Sequence, residues 1–192
     1  MLDQFTSTQI TVAVVVLFLV VAIALGIYIK YRKTRTLGFR KRFGTEYDRA
    51  VVTHGSSQKA ETKLANRETR VEALKIRELS ATERERFVAE WQMVQSRFVD
   101  HPKAAVTEAD DLINALLLAR GYPQGGFEQR AADVSVTYPH VIENYRLANA
   151  VAVRPGRVEA TTEELRTAMI QYRAIFDELL QTKELKAARS AA

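Results

Sequence analysis

Residues 119–136 read ARGYPQGGFEQRAADVSV, a glycine-rich turn followed at once by charged and amide side chains. A phosphate-cradling loop with reactive residues behind it would need such a pairing. The spacing fits no phosphate loop, because no Gly-Lys-Ser/Thr follows and no strand pattern precedes. Gly121 suits the position just after a helix that ends at Arg120, and Pro123 prevents that helix from continuing. Gly125 and Gly126 are expected to supply backbone freedom at a helix–helix corner. The charged half is harder to dismiss. Phe127 and the Ala131-Ala132 pair can pack inward, leaving Glu128, Gln129, Arg130 and Asp133 as polar neighbours. Arg130 and Asp133 stand at i and i+3 and can pair directly. Phe127, Glu128, Gln129, Arg130 and Asp133 therefore carry two readings. They form a polar clasp holding the corner to an adjacent helix end, or a recognition surface for a protein partner or an anionic ligand centred on Arg130.

Other chemistry is sparse. The chain has no Cys, which excludes disulfides, thiolate metal sites and cysteine nucleophiles. His54, His101 and His140 each fall near a helix end or turn, none at metal-ligand spacing with another His. Asp110 and Asp111 are neighbours on a helix and so point about 100° apart, which argues against a shared carboxylate site. Glu108 and Asp111 share a face and read as solvated surface. No Ser lies in a nucleophile elbow. No catalytic, cofactor-binding or metal-binding residue is assigned, and the expected role is non-enzymatic.

The elements that must position the corner begin with an anchor. Residues 10–29, ITVAVVVLFLVVAIALGIYI, carry no charge and in helical form span about 30 Å, the thickness of a bilayer's hydrocarbon core. A cleavable signal would open with basic residues, whereas Asp3 is the one charged residue before Ile10. Seven Lys or Arg follow with no acid among them: Lys30, Arg32, Lys33, Arg35, Arg40, Lys41 and Arg42. This asymmetry places the N-terminus outside and everything after Lys30 in the cytoplasm, with Tyr28 and Tyr31 at the headgroup level. The same cluster can attract anionic lipid headgroups. The chain's net charge of +5 resides there, and from Phe43 onward the balance is −1. A nearly neutral domain gives no support for nucleic-acid binding.

Beyond the anchor the apolar periodicity is helical. Ser80 and Glu83 have capping-box spacing, and Phe87, Trp91, Val94 and Phe98 then follow on one stripe. Thr161 and Glu164 repeat the box ahead of a seam of Leu165, Met169, Tyr172, Phe176 and Leu179, which could pack inside the fold or mediate self-association. Between them, Val106, Ile113, Leu116 and Leu117 share a face, and Pro139 suits a first helical turn. TEYDRAVVTH reads as a short helix stopped near Gly55. A longer one follows, with a narrow stripe of Ala60, Leu64, Val71 and Leu74. LKIRELS could be extended but has no second strand to pair with. The predicted fold is all-α: an N-terminal transmembrane helix followed by a cytoplasmic helical bundle. The expected divisions are a short outer segment 1–9, a membrane helix 10–29 and a basic juxtamembrane segment 30–44. A helical connector 45–79, a bundle 80–182 and a flexible tail 183–192 follow.

RFGTEYDRAV, ATERERFVAEWQMVQSRFVDHPKAAVTEADDLI, RGYPQGGFEQRAADVSVTYPHVIENYR and TTEELRTAMIQYRAIFDELL together resemble a family of uncharacterised bacterial proteins, often with one N-terminal membrane helix. The resemblance covers roughly residues 42–180, and RGYPxxxFEQRAADxSV is its most specific part. Tyr138 stands where a small polar residue is expected. The resemblance implies a bacterial inner-membrane setting and assigns no functional residue. The expected function is a tethered adaptor or regulatory interaction module, with a membrane-bound enzyme or small-ligand sensor sited near Gly121–Asp133 as the alternative.

Overall fold

An apolar stretch in helical form satisfies every interior backbone N–H and C=O within itself, which suits a segment with no polar side chains to help. The N-terminal stretch folds this way. The structure, a computed structural model, describes residues 7–154 and 160–181, with side chains from Val12 onward. Most of the expected outer segment 1–9 and all of the expected tail 183–192 lie outside the described residues. Those described form eight helices and no strand: α1 (Ser7–Phe43), α2 (Thr45–His54), α3 (Ser57–Glu72), α4 (Ala81–Arg97), α5 (Pro102–Ala119), α6 (Phe127–Thr137), α7 (Ile142–Ala152) and α8 (Thr162–Leu180). The chain divides into two units, Met1–Arg42 and Phe43–Ala192.

α1 runs unbroken for 37 residues, all but Phe43 in the first unit, about 55 Å of helix. From Val12 on it is long and apolar enough to cross a membrane, with a mean hydropathy of 3.1 over a stretch that is 0% buried. The basic residues expected in a separate juxtamembrane segment continue this same helix. Lys30, Arg32, Lys33, Arg35, Arg40, Lys41 and Arg42 are all exposed on it. Arg32 lies over the Tyr28 ring at 5.8 Å and Arg35 over Phe39 at 5.8 Å, contacts that hold cations beside aromatic faces.

In the second unit both predicted capping boxes are present. The Ser80 side chain accepts from the Glu83 backbone N–H and the Glu83 carboxylate reaches back to Ser80. Thr161 and Glu164 do the same at α8. α2 stops at Gly55, which takes the left-handed conformation at φ 75°. Ser56 caps α3 by accepting from the Lys59 N–H. Phe87, Trp91 and Val94 are buried as their spacing predicts, and Trp91 stacks on Phe176 at 4.6 Å between ring centroids, an arrangement that adds about 1 kcal/mol beyond burial.

α8 packs against α7 and α5, α4 against α5, and α6 against α3 and α7. The seam of Leu165, Met169, Tyr172, Phe176 and Leu179 is wholly buried among these helices. The surface once available for self-association is thus occupied by the fold itself. α2 and α3 pack on each other and on α7 and α6 respectively. The expected connector 45–79 thus belongs to the same unit as the bundle. LKIRELS forms no strand; the Arg77 N–H donates to the Arg120 carbonyl at 2.9 Å. Pro139 falls in the turn before α7, outside its first helical turn, and Tyr138 caps α6 from the core, almost fully buried.

Candidate functional site

The corner begins where α5 ends. The Tyr122 N–H donates to the Leu117 carbonyl and the Gly121 N–H to the Leu118 carbonyl, the paired bonds of a Schellman stop. Gly121 sits at φ +93°, and a Cβ there would lie 2.6 Å from the Lys75 carbonyl oxygen. Conformation and space both demand glycine at this position. Gly125 and Gly126 have no positive φ, so the freedom expected of them is not used. Tyr122 is buried, and its hydroxyl donates to Thr137 across the base of α6 at 3.3 Å. Burial pushes the Tyr122 phenol up to about 12 against the partial relief of that bond.

The five predicted residues all sit on the first two turns of α6, but they are used differently from their spacing. Phe127 is half-buried, edge-on to Tyr145 at 5.0 Å. Glu128 is 71% exposed and accepts from Arg146 of α7 at 2.7 Å, with Arg49 of α2 at 3.8 Å. Gln129 donates to both carboxylate oxygens of Asp133, at 3.2 and 3.0 Å. Asp133 is only 1% exposed and pairs with Arg70 of α3, whose Nε donates at 2.9 Å. The expected Arg130–Asp133 pair is not formed. Asp133 shares the buried face of α6 with Ala132 and Val134, and a carboxylate this dry requires a charged donor from the neighbouring helix.

Arg130 turns elsewhere. Its Nη1 donates to the Gly125 carbonyl at 2.7 Å and its Nε to the Tyr145 hydroxyl at 3.4 Å, while the guanidinium stands 6.0 Å from the Phe127 ring centre. It has no carboxylate partner among the described residues. Tyr145 is fully buried, which raises its phenol to about 12 although the Arg130 bond works the other way.

A second charged cluster holds α2 and α3 to the bundle. Glu46 of α2, 3% exposed, accepts from Arg67 of α3 at 2.8 Å and from Arg146 through Nη2 at 3.2 Å and Nε at 3.3 Å. Burial disfavours the Arg146 charge, but the bonds to Glu128 and Glu46 outweigh it and hold the guanidinium pKa above its usual value. The clasp reading of the corner therefore describes Glu128 and Asp133, whose partners come from α2, α3 and α7.

Sequence reasoning passed over several of the groups here. Asp110 is tied into the interior: it accepts from the Tyr172 hydroxyl at 2.9 Å, from Asn149 at 3.2 Å and from Asn114 at 3.4 Å. Glu108 pairs with Arg97 at 2.7 Å. Asn114 is the residue between this interior cluster and the surface. With its amide nitrogen turned to Asp110, its Oδ1 is buried with no donor. Only the i, i+4 spacing of Asp110 and Asn114 hinted at their bond.

Asn114, Leu117, Leu118, Pro123, Gln124 and Arg130 line an open concavity of about 380 Å³ beside the corner. Another, of about 230 Å³, lies between α4 and α8 over Phe98, Met169 and Ile170. Its arginines are matched, Arg166 by Glu163 and Arg173 by Asp177. Among the described residues no cluster of three or more His, Asp or Glu is placed to hold a metal ion. His140 stands 3.2 Å from Glu178, and His54 and His101 flank helix ends. No protein-family model, curated protein or solved structure matches this chain.

Proposed function

We propose that this protein is a single-pass, membrane-anchored helical module of the bacterial inner membrane, with its N-terminus outside and the α2–α8 unit in the cytoplasm. There it acts as a tethered adaptor or regulatory interaction module. The observation that carries the reading is α1: an apolar stretch of which 0% is buried, followed by seven exposed basic residues. Positive charge next to a span favours cytoplasmic retention and contact with anionic headgroups. Because the chain has no Cys, orientation is directly testable. Gln4→Cys should react with an impermeant maleimide on intact cells and Val99→Cys only after lysis; the reverse pattern refutes the topology. For the adaptor role, crosslinking in cells around residues 121–133 should capture one stoichiometric partner, and Phe127→Ala or Arg130→Ala should reduce its recovery. Recovery of this chain alone under several growth conditions refutes it.

A second reading, a small-ligand sensor at the same corner, is favoured by one observation. Arg130 lines an open concavity and has no carboxylate partner among the described residues.

A further inference from the structure

The 380 Å³ concavity at the α5–α6 corner has one cation in its wall among the described residues, and the fold orients that cation without neutralising it. Arg130 donates through Nη1 to the carbonyl of Gly125, itself part of the same wall, and through Nε to the Tyr145 hydroxyl. Both acceptors are neutral. Nη2 and the second hydrogen of Nη1 have no acceptor among the described residues. Elsewhere in the second unit even well-exposed arginines meet a carboxylate, Arg97 that of Glu108 and Arg173 that of Asp177. Arg84 and Arg120 are turned instead to the Leu79 and Leu179 carbonyls, and of these three only Arg130 lines this concavity. A planar guanidinium held by neutral acceptors is preorganised for a planar anion, because the freedom that binding would remove is already lost on folding.

The rest of the wall limits what that anion is. Its other polar side chains are Gln124, which is exposed, and Asn114, whose amide nitrogen is taken by Asp110. One positive charge with no second cation beside it balances a monoanion. A phosphoryl group carries about −1.5 to −2 and would keep net negative charge against a wall that is otherwise largely apolar, where unbalanced charge is costly. The remaining side chains are Leu117, Leu118 and Pro123. Leu117 is buried, but Leu118 is 41% exposed and Pro123 is exposed as well. Apolar surface of this kind beside a fixed cation gains from being covered.

We propose that this concavity binds a small organic acid, a single carboxylate on a short aliphatic body. The carboxylate meets the unfilled N–H groups of Arg130, and the aliphatic body covers Leu118 and Pro123. This rests on the sensor reading and names its ligand class.

The test is titration calorimetry on the full chain in detergent micelles, with protein-free micelles as the blank so that partition into detergent is subtracted. The probes are 4-methylpentanoate, its amide, acetate and inorganic phosphate. 4-Methylpentanoate should bind saturably in the millimolar range, as suits a ligand of about eight heavy atoms. Its amide should bind at least about ten-fold more weakly, through loss of a charge-assisted hydrogen bond. Acetate should be weaker by at least about the same factor, through loss of the aliphatic body. Arg130→Gln should weaken 4-methylpentanoate binding by about ten-fold or more. Leu118→Glu places a like charge at the exposed rim and leaves the core alone, so it should weaken binding as much, and it decides the matter if Arg130→Gln fails to fold. Equal binding of acid and amide, acetate binding as tight as that of 4-methylpentanoate, or indifference to either substitution in a folded variant overturns the inference. Phosphate binding lost in Arg130→Gln, without 4-methylpentanoate binding, overturns the inference and spares the sensor reading. Binding of no probe overturns both.

Discussion

Glu46→Gln should be among the most destabilising single-atom exchanges in this protein. The Glu46 carboxylate, 3% exposed, receives three hydrogen bonds from two guanidinium groups, and Arg146 is itself 11% exposed. Glutamine preserves the volume but turns an NH₂ toward one of those donors and leaves two largely buried cations, of which Arg146 keeps Glu128. Each charge-assisted bond is worth about 1.5–3 kcal/mol net, offset by release of the Glu46 desolvation penalty. Removing one partner from a buried ionic cluster typically costs about 3–5 kcal/mol; because Arg67 retains some access to water, about 3 kcal/mol is expected. In a unit of this size that lowers Tm by about 6–12 °C, read by far-UV circular dichroism on the full chain in micelles. The control is Glu128→Gln: that side chain is 71% exposed, and its loss should cost under about 1 kcal/mol. A double-mutant cycle with Arg146→Gln should show strong coupling to Glu46. If Glu46→Gln melts within about 1 °C of the parent, or if the two glutamine variants are equally damaging, the clasp does not hold α2 and α3 to the bundle as argued.

Gly121→Ala should cost at least about 2 kcal/mol, combining a left-handed backbone with a methyl driven against the Lys75 carbonyl; Gly126→Ala, which meets nothing within 4 Å, should be nearly silent in the same melts. Stability should fall as pH rises from about 10 toward about 12, because burial raises the folded-state pKa of Tyr122 and Tyr145 to about 12 from 10.0. Such groups stabilise fully below the unfolded pKa and lose that contribution as pH climbs through the folded one. Tyrosinate absorbance should track the loss, and Tyr122→Phe should diminish it. Ser80→Ala and Thr161→Ala should each lower stability by about 1 kcal/mol, the usual value of a lost N-cap; no change in thermal melting would mean the boxes at α4 and α8 are ornamental.

What could be read from the sequence was whatever depends on near neighbours. Ser80 with Glu83, Gly121 after Arg120, and the Phe87–Trp91–Val94 stripe are all set within four or five residues, and each stands where its spacing puts it. The pairing of Asp133 was misjudged for the same reason. A local Arg130 was available on paper, but the chosen partner, Arg70, is 63 residues away. Glu46 and Arg146 are 100 residues apart, and nothing in either local context marks them as partners. The apolar stripe of α3 is thin, and although Ala60, Leu64 and Val71 are buried, part of its attachment runs through charges, which a hydrophobic pattern cannot display. The α5 side of the concavity beside Arg130 escaped notice because Asn114 and Leu118 lie on the far side of the glycine turn.

Phe43 decides where the chain can be cut. It is the last residue of α1 yet the first of the second unit, and it is fully buried there. A water-soluble fragment begun at Thr45, the obvious choice from the sequence, would discard a core phenylalanine and forfeit about 3–5 kcal/mol. One begun at Phe43 would place a charged amino terminus on that same buried residue. The start therefore has to fall before Phe43, among Arg40, Lys41 and Arg42, so any well-folded fragment carries part of the basic cluster with it. Such a fragment should bind a cation-exchange resin through its first few residues, and vesicle-binding experiments on it would need those arginines neutralised before the rest of the surface could be assessed.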